Sequence, residues 1–110
     1  MQVRLIVPNG KYTTTESIAC NPIDSYGKAI ADIAGGFTAT QGTGGWGDNQ
    51  GNLIVEPVTV FDTTIESPAN PNRESDTMSD LRGLATVIAI ELNQESVYLS
   101  FDGRVEFVKP

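Results

Sequence analysis

The chain has 110 residues, 7 basic and 14 acidic side chains, no histidine and a net charge of -7, a length that fits one domain of about 100–150 residues. No apolar run approaches the ~20 residues that span a bilayer, and the negative charge disfavours phosphate backbones, so neither membrane nor nucleic acid is an expected partner. Without histidine the commonest general base, the Ser-His and Cys-His pairs and most zinc sites are missing, and no cofactor or metal is expected.

Val3, Leu5 and Val7 alternate with Arg4 and Ile6 before Pro8-Asn9-Gly10, which predicts a first strand. Lys11 to Cys20 has no clear period and is expected to be loop. Asn21-Pro22 is a helix start, with asparagine as N-cap, proline at the first helical position and Asp24 in the first turn. Ile23, Tyr26, Ile30 and Ile33 draw one apolar stripe, and Gly35-Gly36 ends the helix. Phe37 to Gln41 predicts a short strand, Gly42 to Asn52 a loop or hairpin tip, and Leu53 to Phe61 a long strand. Pro57 lacks an amide donor and places that strand at an edge or a bulge. Thr63 to Glu74, with Pro68 and Pro71, reads as surface loop. A second helix is expected from Ser75-Asp76-Thr77, with Met78, Leu81, Ala85, Ile88 and Leu92 on one face and Asn93 at its end. Gly83 lies inside it and suggests close packing. Val97, Leu99 and Phe101 lead into Asp102-Gly103, a two-residue hairpin signal, and Val105, Phe107 and Val108 return.

The order β-α-β-β-α-β plus one hairpin strand predicts an α+β, ferredoxin-like βαββαβ sandwich over residues 1–110, a single domain with two helices on one face of an antiparallel sheet. With Asp102-Gly103 as the turn, Phe101 lies opposite Arg104, Leu99 opposite Glu106 and Val97 opposite Val108. Tyr98, Val105 and Phe107 then share the other side with Ser100, leaving a partly apolar second face. Homo-oligomerisation through those residues, or coverage by segment 9–20 or 63–74, accounts for it.

Gly42-Thr43-Gly44-Gly45-Trp46-Gly47 matches G-x-G-x-x-G, but Asp48-Asn49-Gln50-Gly51 cannot open the helix that a dinucleotide fingerprint needs. The glycine amides can instead form an anion-binding nest, or simply a flexible tip. Trp46, the only tryptophan, can stack on a planar ligand or anchor a protein interface, and can equally fold back over its own core. Gly44, Gly45, Trp46, Asp48 and Asn49 are therefore the candidate ligand- or partner-binding residues. Asp48, Asn49 and Asn52 lack the later glutamate of a calcium loop. Cys20, the single cysteine, has no basic neighbour and reads as an ordinary semi-buried thiol. The Met1–Pro8 run is too short for a signal peptide, which suggests a cytoplasmic protein.

Gly36 to Trp46, followed by Leu53-Ile54-Val55-Glu56 and later by Leu92 to Val97, resembles a pattern in small proteins of phages, plasmids and bacteria that have no assigned activity. The resemblance implies a phage or mobile-element accessory protein. The layout is also similar to the nitrogen-regulatory PII and CutA group, which implies a trimeric ferredoxin-like subunit with a long loop after its second strand. Asn93-Gln94-Glu95-Ser96 stands where that group has a basic, glycine-rich phosphate segment, so the resemblance implies architecture and not ATP binding.

The expected function is a non-enzymatic interaction protein that binds a host protein through the Gly/Trp loop and its acidic surface, with counter-defence among its roles. The alternative is a protein that binds or sequesters a small anionic or nucleotide-like ligand between subunits. An enzyme using Tyr12, Tyr26 or carboxylates (Glu91 and Glu95 one turn apart, or Glu56, Asp62 and Glu66 flanking the long strand, all expected on solvated faces) is not expected, because no set of nucleophile, base and orienter can be named.

Overall fold

Val3, Leu5 and Val7 are buried while Gln2 and Arg4 between them face out, so the first strand, β1 (Gln2–Pro8), runs through the middle of the protein. A computed structural model of the chain describes residues 1–12, 17–66 and 71–110. A short hairpin follows, β2 (Gly10–Tyr12) and β3 (Ser17–Ala19), then α1 (Pro22–Ala34), β4 (Thr38–Gly47), β5 (Leu53–Thr64), α2 (Pro71–Glu91), β6 (Val97–Phe101) and β7 (Arg104–Val108). The main sheet has the order β4-β5-β1-β6-β7, and every neighbouring pair is antiparallel. Sequence-distant β1 and β6 pair at its centre, which is the ferredoxin-like βαββαβ arrangement, with β7 added at one edge.

Local chemistry explains the helices. The Asn21 side chain accepts from the Ile23 amide, Pro22 opens α1, and Gly35 closes it in the left-handed conformation at φ 92°. Tyr26 and Ile30 deliver its buried stripe, whereas Ile23 at the first turn stays 39% exposed. From α2, Leu81, Ala85, Ile88 and Ala89 complete the core against Val3, Leu5, Val7, Phe61, Val97 and Leu99. Tyr26 donates to Glu91 Oε2 at 2.7 Å and ties the two helices together. Arg82 of α2 forms a bidentate pair with Glu106 of β7, at 2.9 Å for each bond, and lies 5.0 Å over the Phe101 ring. That pair explains a charge on the helix-facing side of β7.

The last hairpin has the register expected from its turn, with Phe101 opposite Arg104, Leu99 opposite Glu106 and Val97 opposite Val108. Asp102 and Gly103 both adopt positive φ, 50° and 80°. Elsewhere the structure corrects the sequence reading. Part of the expected loop 11–20 pairs as β2 with β3, while Thr13 to Thr15 lie outside the described residues. β5 continues to Thr64, and α2 opens at Pro71 rather than Ser75, because proline suits the first helical position and Glu74 then falls in the first turn. Among the described residues no helix is long and apolar enough to cross a membrane.

The close packing expected around Gly83 is absent: a Cβ built there meets nothing within 4 Å. Gly83→Ala is therefore expected to stabilise the fold by about 1 kcal/mol. A rise of about 4 °C in Tm by calorimetry checks it.

Candidate functional site

Directly paired residues of antiparallel strands point to the same face. Leu5, Phe61 and Leu99 are paired across the centre and face the helices. The opposite, open face carries Ile6 from β1, Tyr98 from β6 and Phe107 from β7, with Val105 beside them. Phe107 is 66% and Val105 46% exposed. Tyr98 and Phe107 pack edge to face at 6.0 Å. All three expected interface residues thus lie together on the side facing away from the helices.

The same face continues onto β5 and β4, where Gly42 opposes Val58, Gly44 opposes Glu56 and Trp46 opposes Ile54. The stretch expected as a mobile loop is in fact strand through Gly47. Its glycines are spent on ladder pairing rather than on an anion nest. They also clear space, for a Cβ on Gly44 would lie 3.1 Å from Val58 and 3.8 Å from Glu56 Cγ. Val58 and Glu56 lean over bare backbone and are buried, with exposures of 6% and 8%.

Glu56, expected with the other carboxylates on a solvated face, is instead buried. Among the described residues its Oε2 is buried without a hydrogen-bond partner. A carboxylate oxygen withdrawn from water with no donor is costly, by about 1–3 kcal/mol or more for a charged group, so in a folded protein such an oxygen is met by a donor from ordered water, a ligand or a partner. The only sequence signal was a charge alternating with Ile54 and Val58 on an otherwise apolar strand face.

The β4–β5 hairpin also runs past the end of β1, whose last paired residue is Pro8 opposite Val58. Leu53 and Val55 on one side of this arm are 72% and 58% exposed, and Trp46 on the other is 45% exposed. Gly45 lies on the Leu53 and Val55 side, away from Trp46. Where β1 ends, Asn9 donates to Gln41, Gln41 to Thr59 and Thr59 back to Asn9, at 2.7, 3.1 and 2.6 Å. This closed ring fixes the base of the arm.

Asp48 and Asn49 lie at the tip. Asp48 Oδ1 accepts from the Asn52 and Gln50 amides at 2.8 Å each, so its carboxylate closes the turn. Burial pushes the Cys20 thiol up, and burial with the Glu91 contact pushes the Tyr26 phenol well up, so neither is poised as a nucleophile or base. The Tyr12 side chain lies outside the described residues. A polar cavity of about 710 Å³ opens between the end of α1, the end of β5 and the start of α2. Two of its carboxylates are already engaged, Asp62 by Arg4 and Asp32 by Lys28.

Two solved structures are similar to this chain along its length. One is a phage SAM lyase in complex with S-methyl-5'-thioadenosine, 16% identical with a TM-score of 0.63, covering 99% of this chain and 88% of that one. The other is a phage SAM lyase in the apo state, 15% identical with a TM-score of 0.62 and the same coverage. No protein-family model and no curated protein matches the sequence. The likeness establishes a shared fold. It also corrects the expectation of a non-enzymatic binder, since the fold that this chain follows over 99% of its length is one that an enzyme uses.

The Asn52 amide, followed by that of Gln50, holds the Asp48 carboxyl below its usual range. The stabilisation is complete above the unfolded carboxyl pKa of about 3.9 and is lost as pH falls through the lower folded value. The Asn52 amide NMR shift is expected to titrate below that pKa, and Asp48→Ala to abolish the titration and loosen the tip.

Proposed function

We propose that the protein is an enzyme that cleaves S-adenosylmethionine to S-methyl-5'-thioadenosine, with Glu56 on the open face at its reaction site. What carries this reading is the buried Oε2 of Glu56, without a partner among the described residues, on an apolar face, in a fold similar over 99% of the chain to a phage SAM lyase in complex with that thioether.

The chemistry suits a chain without histidine. Breaking the bond between the sulfonium sulfur and the γ-carbon of the amino-acid arm leaves the electron pair on sulfur as the neutral thioether. The arm's own carboxylate oxygen forms the new bond to that carbon and closes a lactone. Atoms and charge balance without water, a cofactor or a proton transfer. Because the reaction is intramolecular, orientation of the arm is the main contribution required of the protein. Positive sulfur and negative carboxylate neutralise one another along the path, so a dry apolar face favours the transition state. The Glu56 carboxylate accepts from the ammonium group of the arm and holds the substrate carboxylate behind the γ-carbon.

The same face is the proposed contact between copies of the chain. Tyr98, Val105 and Phe107 would be covered there. Substrate would then sit in a cleft closed by a neighbouring copy.

Purified protein incubated with S-adenosylmethionine is expected to release S-methyl-5'-thioadenosine, measured by chromatography. Glu56→Gln should lower kcat/KM about ten- to hundredfold, as the loss of a charge-assisted hydrogen bond of roughly 1.5–3 kcal/mol implies. Absence of the thioether with folded wild-type protein overturns the reading. Phe107→Asp is expected to lower the mass in solution measured by light scattering.

A further inference from the structure

Glu56 can hold only the charged arm of such a substrate; the planar base at the other end needs a different surface. Trp46 lies one ladder step from the Gly44–Glu56 pair on the same face, a diagonal neighbour at about 7–8 Å between backbones. The neighbour of Trp46 on this face of β4 is Gly44, which stands opposite Glu56 and has no side chain of its own, so the Val58 and Glu56 side chains lie over its backbone. The indole is 45% exposed, and among the described residues no aromatic ring packs against it.

The other aromatics on this face are placed elsewhere. Tyr98 is paired with Ile6, and Ile6 with Val60, so it lies two strands across from β5 and four residues along from Glu56. At about 4.8 Å per strand and about 3.3 Å per residue, that is roughly 10 Å sideways and 13 Å lengthwise. Its edge is already occupied by Phe107.

Resting on the lyase reading, we infer that Trp46 is the stacking platform for the purine of the substrate, and so a specificity-determining residue for its nucleoside end. Glu56 and Trp46 then define a two-point grip, with the cationic arm at one and the base at the other.

Because Trp46 is the sole tryptophan, its emission reports on this position alone. Titrating the full chain with S-methyl-5'-thioadenosine should quench it saturably, whereas methionine should not. Trp46→Ala should weaken thioether binding about tenfold by calorimetry, the effect of removing one base–aromatic stack. Trp46→Phe should recover most of that loss, and neither variant should change the mass in solution. If the wild type binds the thioether with unchanged emission and Trp46→Ala binds equally well, the stacking role is overturned while the lyase reading stands. If Trp46→Ala lowers the mass at matched concentration, the ring anchors neighbouring copies and the stacking role is again overturned. If folded wild type neither binds the thioether nor cleaves S-adenosylmethionine, both readings fall.

Discussion

The central position of β1 is the constraint on which the rest of the protein depends. Val3, Leu5 and Val7 are covered by helices on one side and flanked in the sheet by β5 and β6. That strand joins the first and second halves of the chain through the Leu5–Phe61 and Leu5–Leu99 pairs. A period of two commits the alternate residues, Arg4 and Ile6, to the far side. The uncovered face is thus a necessary outcome of the burial that stabilises the fold, and both proposed roles of that face follow from it.

Much of this was legible in the residues. Asn21-Pro22 and Gly35 bound α1 because capping is local chemistry that needs no tertiary partner. Asp102-Gly103 specified its hairpin register down to each pair, since a two-residue turn leaves no freedom. The pattern of Tyr98, Val105 and Phe107 located an apolar second face for the same reason. The Gly42–Gly47 stretch misled because its local preference is for turns, whereas long-range pairing with Leu53–Val58 decides its conformation. Glu56 was expected on a solvated face for a related cause. Its significance lies in burial without a donor, which depends on the glycines opposite and on no sequence neighbour.

The expectation of no enzymatic activity rested on a search for a nucleophile, a base and an orienter. An intramolecular displacement with a sulfonium leaving group brings its own nucleophile and needs no base. Such chemistry leaves little trace in composition. What it asks of a protein is a shaped, poorly solvated surface with one well-placed counter-charge, and those are properties of packing.

Gly42 and Gly44 have a consequence for how tolerant this surface is of genetic drift. With Val58 within 3.1 Å of where the first carbon of any side chain at position 44 would stand, a single added methyl group lifts the neighbouring strand's side chains off the backbone. The fold can survive that shift at an outer strand, yet the seat that holds the Val58 and Glu56 side chains would be gone. A lineage could therefore displace Glu56 while keeping the architecture, and glycine at position 44 marks which copies still hold that carboxylate in its buried place.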